Sequence, residues 1–199
     1  MKILSLLIAF IFLITQKIDS QPIKINELKD ENVDCEYKGK IQKAYEIGDK
    51  KGVHLFLLTK EEKGSFGEAD YVSNIYAYKK TNDHGGYIDR WEVKEFNPNA
   101  LTSLDFNLDD TKIVDIDKDG IAETIFLYRL SPDGLDPIIL KMICHYKDKK
   151  YIIAGKIPQM DGSTYTKVMD KSFSILPAKV KKYFSDYWDK IIAKFKNGA

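Results

Sequence analysis

The segment Asp115-Ile-Asp117-Lys-Asp119-Gly120-Ile-Ala-Glu123 places four carboxylates at positions one, three, five and nine of a loop that has glycine at position six. Acidic groups this close repel one another unless a cation neutralises them, and Lys118 is the only basic residue among them. A hard divalent cation needs several converging oxygens, so the chemistry these residue types and spacings can perform is calcium binding. The alternative is a metal-free turn, for which Asp and Gly are also favoured.

An EF-hand would carry a bidentate carboxylate at position twelve, where this chain has Phe126, and would be flanked by helices. Here Glu123 is followed at once by Thr124, Ile125, Phe126, Leu127 and Tyr128, which read as a strand. The strand, acidic loop and strand resemble the calcium hairpins of integrin-type propeller blades and related extracellular repeats. That resemblance implies side-chain oxygens from Asp115, Asp117, Asp119 and Glu123, a backbone carbonyl from Ile121 and a sharp bend at Gly120. An ion wrapped in this way serves folding linkage better than open Lewis-acid catalysis.

Other residues capable of chemistry are dispersed. His54, His84 and His145 lie far apart and show no metal-ligand spacing, so they read as structural histidines. Asp109, Asp110, Asp133 and Asp136 supply carboxylates of the type that pair in glycoside cleavage, but nothing in the sequence distinguishes such a pair from solvated loop acids. No GxSxG, no P-loop and no Cys-His nucleophile pair is present.

Strands must hold the acidic loop. Gly52 to Thr59 is apolar on both faces, and Tyr71 to Lys79 and Tyr87 to Phe96 flank the turn signal Thr81-Asn-Asp-His-Gly-Gly86, which predicts a hairpin. Lys112 to Ile116, Thr124 to Arg129, Ile138 to Tyr146 and Lys150 to Lys156 are further strands, with Lys147-Asp148-Lys149 as a short connection. From Pro177 the period changes: Val180, Phe184, Tyr187, Ile191 and Phe195 recur at three or four residues, an amphipathic helix at about 177–196 whose stripe, with Trp188, docks on the sheet. No repeat at the blade period is visible and the acidic loop occurs once, which disfavours a propeller. The expected fold is mainly β (α+β), a single antiparallel meander or sandwich-like domain over 21–199 with a calcium-loop hairpin and one C-terminal amphipathic helix.

Residues 1–20 read as a signal peptide. The apolar run from Ile3 to Ile14 is far shorter than the ~20 residues of a spanning helix, and Ser20 offers a cleavage point. The expected protein is therefore exported, to the periplasm or cell surface, without a transmembrane segment after cleavage. Removing Lys2, Lys17 and Asp19 leaves 29 basic and 29 acidic residues, a balance that argues against nucleic acid and anionic membranes as partners. Export permits a bridge between Cys35 and Cys144, worth ~4 to 5 kcal/mol in the chain-entropy model. Two buried thiols in alternating apolar runs would look the same, so the sequence leaves the bridge open.

The run from Trp91 to Gly155, with its aromatic strand Trp91-Glu-Val-Lys-Glu-Phe96, its acidic loop Val114 to Glu123 and the hairpin of Leu140-Lys-Met-Ile and Lys150-Tyr-Ile-Ile-Ala-Gly155, resembles a flavobacterial family of exported proteins. The helix with Tyr183, Phe184 and Trp188 resembles that family's ending. The family is named for surface polysaccharide biosynthesis after one member's link to lipopolysaccharide. Its members carry cysteines where this chain has Asn97-Pro98-Asn99 and Ser131-Pro132-Asp133, so no family disulfide is expected there. The family name is compatible with an assembly factor, a binding protein or an enzyme, and no catalytic residue comes with the resemblance. With the signal peptide, the single acidic loop and the absence of catalytic constellations, the leading expectation is a non-catalytic binding or assembly role at the cell envelope, with an envelope glycan or envelope protein as partner. Two other expectations compete: a carbohydrate-active enzyme using calcium-positioned Asp133 or Asp136, and a secreted inhibitor or immunity-type module whose hairpin at Asn82 to Gly86 contacts a protein.

Overall fold

The computed structural model of the protein describes residues 22–65, 72–160 and 164–197, and among these the chain forms two antiparallel sheets and one α-helix, with three short 3-10 turns. The expected signal peptide and Tyr71 lie outside these residues. The first sheet is a meander of β1 (Lys24–Glu27), β2 (Lys40–Asp49), β3 (Gly52–Lys63), β4 (Val72–Asp83) and β5 (Gly86–Phe96). The second contains β6 (Thr102–Phe106), β7 (Lys112–Val114), β8 (Glu123–Pro132), β9 (Ile138–Tyr146), β10 (Lys149–Ile157) and β11 (Val168–Met169). Its order is β11-β10-β9-β8-β6, and β7 pairs with the start of β8 while β6 pairs with its end. The helix, α1, spans Ala178–Asn197 directly after Pro177, where proline costs no helical hydrogen bond.

The period-two alternation of each strand decides what lies between the layers. Phe56, Leu58, Ile75, Ala77 and Val93 of the first sheet meet Leu104, Phe126, Tyr128, Leu130 and Ile143 of the second. The opposite face of the second sheet presents Ile125, Leu127, Leu140, Met142, Cys144, Tyr151 and Ile153 to Val180, Phe184, Tyr187, Trp188 and Ile191 of α1. β8 and β9 are thus buried on both faces, which explains why their sequences are apolar almost throughout. Gly155 on β10 is fixed by two close approaches, because a Cβ there would collide with the Thr166 carbonyl oxygen and lie 2.8 Å from a ring carbon of Trp188 on α1. Trp188 in turn donates its indole N–H to the Tyr165 hydroxyl at 2.7 Å. Truncating Phe184, which is wholly buried, would cost about 3 to 5 kcal/mol.

The expected β-rich fold with a single C-terminal helix is observed, and the Ile138 to Tyr146 strand has the expected bounds. The apolar alternation of Val33, Cys35 and Tyr37 is not a strand: this irregular segment covers the outer face of the first sheet over Ile41, Ala44, Leu55, Leu57, Tyr76 and Tyr78. Cys35 therefore lies outside the first sheet, and Cys144 lies between the second sheet and α1. Both sheets separate the two thiols, and both are free.

Candidate metal centre

The loop between β7 and β8 folds around the side chain of Asp115. The backbone N–H of Asp119 donates to its Oδ1 at 3.1 Å and that of Gly120 to its Oδ2 at 2.9 Å. Lys118 and Gly120 both adopt left-handed backbone, with φ of 65° and 84°, which turns the chain sharply enough for these bonds to form. Two contacts anchor the loop on the tip of the β2–β3 hairpin in the other sheet. Ala122 N–H donates to Asp49 Oδ2 at 3.1 Å, and Lys50 N–H donates to the Gly120 carbonyl at 2.8 Å.

Asp115, Asp117 and Glu123 converge, each offering an oxygen within 4.8 Å of the others, an arrangement that can hold a metal ion. Glu123 opens β8 and is fully buried. Its Oε2 accepts the Ile116 N–H at 2.7 Å, whereas its Oε1 has no hydrogen-bond partner. A buried carboxylate oxygen without a donor carries a desolvation cost that a cation would remove. Burial first, and then the charges of Asp117, Asp119 and Asp115, push the Glu123 carboxyl up to about 8 against the pull of the Ile116 N–H. With no cation present, Glu123 therefore keeps its proton at neutral pH.

Asp117 accepts a hydrogen bond from the Tyr146 hydroxyl at 2.8 Å, which fixes it toward β9. Asp119 is the exception among the four expected carboxylates. Its Oδ1 accepts the Ile121 N–H at 2.9 Å and its Oδ2 pairs with Lys147 at 3.2 Å, so it is held outside the convergent group. The spacing rule missed this because Lys147 comes from a distant hairpin.

Asp49 was not singled out from the sequence and is a second organising carboxylate. It accepts the N–H groups of Lys51 and Ala122 and meets His54 Nε2 at 3.0 Å. Burial would raise its carboxyl, but these partners, led by His54, hold it below the usual range. The three histidines occupy separate places: His54 between Asp49 and Thr81, His84 on the exposed β4–β5 turn, and His145 stacked on Trp91 with ring centroids 3.7 Å apart. Asp133 and Asp136 are exposed in the β8–β9 loop, and Asp110 is paired with Lys194 of α1. The Asn82 to Gly86 hairpin is exposed and turns at His84 and Gly85, with Asp83 and Gly86 already paired.

Comparison with protein-family models, with curated proteins and with solved structures returns no match for this chain. No described helix is long and apolar enough to cross a membrane. The site is accordingly read from its own donor set.

Proposed function

We propose that this is an exported, calcium-stabilised β protein with a non-catalytic binding or assembly role in surface polysaccharide, such as lipopolysaccharide, biosynthesis. The observation that carries the metal reading is the fully buried Glu123 carboxylate, which converges with Asp115 and Asp117 and whose Oε1 has no hydrogen-bond partner. An all-oxygen, carboxylate-rich donor set favours calcium over softer metals. In this reading Asp115, Asp117 and Glu123 supply side-chain oxygens and Ile121 a carbonyl, while Asp119 keeps Lys147 away from the ion. The export and envelope parts rest on the amino-terminal sequence and on the resemblance of Trp91 to Gly155. A binding role is favoured over catalysis because, among the described residues, Asp133 and Asp136 are exposed in the β8–β9 loop and line neither the cleft at Arg129 and Phe195 nor the one at Lys60 and Asp105.

The test is a thermal melt with calcium and with chelator, paired with a pull-down from envelope extract under both conditions. Calcium at a hundred times its dissociation constant would add ~2.7 kcal/mol, which for a domain of this size raises the midpoint by roughly 5 to 10 °C. An unchanged midpoint would sink the metal reading. Failure to retain any envelope glycan or protein in either condition would sink the binding role.

A further inference from the structure

The helix-side face of the second sheet carries a pocket of ≈560 Å³ at the carboxy-terminal end of α1. Arg129 of β8 and Ile138 and Ile157 of β9 and β10 form its floor, Pro158 and Gln159 one wall, and Lys194 and Phe195 of α1 the roof. The charges are unevenly used. Lys194 is paired with Asp110, and Gln159 donates its side-chain N–H groups to the carbonyls of Gly134 and Asp136. Arg129, paired through its backbone with β6 and β9, sits on an otherwise apolar floor, and its guanidinium has no ion-pair or hydrogen-bond partner among the described residues. The side chain of Asn107, also at the rim, is likewise free of partners among the described residues.

An unpaired guanidinium beside an apolar wall is complementary to a carboxylate borne on a ring. The planar fork fits the carboxylate, while Phe195, Ile157 and Pro158 offer a surface for the C–H face of the ring and Asn107 can bond its hydroxyls. Among the described residues the only carboxylate in the lining is Asp110, and Lys194 already occupies it. The pocket therefore holds, among the described residues, no acid and base pair with which to cleave what it binds. We infer that this pocket binds a sugar acid, its carboxylate on Arg129 and its ring against Phe195. The inference rests on the proposed envelope-glycan role and names the class of glycan unit that role would engage.

Titration calorimetry with the calcium-loaded full chain tests it, using D-glucuronate as probe and D-glucose, the methyl ester of glucuronate and inorganic phosphate as controls. The expected result is saturable one-to-one binding of glucuronate, with glucose, ester and phosphate each at least about tenfold weaker, the loss of one charge-assisted contact. Arg129→Gln should lose the same factor and Arg129→Lys should lose less. Phe195→Ala should weaken glucuronate while leaving the phosphate response unchanged. Arg129 is exposed, so its variants should melt like the parent, and that melt is the folding control. No glucuronate binding, equal binding of phosphate, or an unaltered Arg129→Gln would each overturn the proposal. Because the melt reports calcium independently, loss of the sugar arm with an intact calcium response overturns this pocket alone, and the envelope pull-down still decides the broader role.

Discussion

Asp148 and Glu123 stand at neighbouring turns of the second sheet, yet the first is met by Lys51, Lys79 and Arg90 and the second by three further acids. The two turns touch: Lys147, next to Asp148, reaches the other way to pair with Asp119. Lys147 and Asp148 form a two-residue hairpin with φ of 51° and 60°, the geometry that matches strand twist. Although burial acts to raise it, the surrounding lysines hold the Asp148 carboxyl well below the usual carboxylate range. Glu123 goes the opposite way. Where the fold balances the half-buried Asp148 from within, it brings three cations from two strands and a turn; at the loop it brings Lys147, and spends it on Asp119. The difference teaches that the two turns treat a carboxylate in opposite ways: one pairs it within the chain, and the other gathers Asp115, Asp117 and Glu123 into a group that could hold a metal ion.

The largest effect should come from breaking the self-sufficient side. Asp148→Ala would leave the nearly buried Lys79 ammonium without a partner, at a cost of about 3 kcal/mol in denaturant titration. Its calcium response should persist. The wild-type contribution of Asp148 is full above an unfolded pKa of about 4 and is lost as pH falls below it; a variant as stable as the parent at pH 7 would refute the role. Next, Glu123→Gln should erase most of the calcium-dependent rise in melting midpoint, a loss of roughly 2 to 3 kcal/mol at saturating calcium, without destabilising the metal-free protein at neutral pH. A full calcium shift in this variant would move the site elsewhere.

A third measurement separates the acidic loop from its neighbour His145, whose imidazole is pushed down to about 3 by burial and by the charges of Lys79 and Lys150, against Asp148. The native state stays neutral while the unfolded chain takes up a proton near 6.5. Stability therefore falls as pH drops from that value toward 3, by about 1 kcal/mol per pH unit in mid-range. His145→Phe, which preserves the stack on Trp91, should flatten that part of the stability profile measured in chelator; an unchanged slope would assign it to other groups. The smallest effect is expected for Lys147→Gln. This exposed pair contributes under about 1 kcal/mol, and its removal should tighten calcium about twofold by freeing Asp119, a change readable by calorimetry. Weaker calcium binding instead would give Lys147 a supporting role.

Much of this architecture was legible from period alone. β3, β4, β8, β9 and β10 announced themselves by apolar runs, and α1 by its change to a 3.6 repeat. β2 did not, and its register explains why: an irregularity between Ile41 and Lys43 leaves the buried residues Ile41, Ala44 and Ile47 three apart, a spacing that mimics a helix. β6 escaped because it is short and buries only Leu104. The loop's carboxylates were readable, but which of them converge was not. Asp119 is removed from the group by Lys147, and the loop is seated by Asp49, partners that lie 28 and more residues away in sequence and meet it only in the folded sheets.

The second sheet, closed on one side by the meander and on the other by α1, sets an order of events. During synthesis the helix-facing side of β8 to β10 has no cover until the final element emerges, so the chain carries an apolar surface with nothing to shield it. That interval is when a holding chaperone would be needed, and when truncation or delay would commit the polypeptide to aggregation. Once α1 docks, the amides of β8 and β9 should be the last in the protein to exchange with solvent.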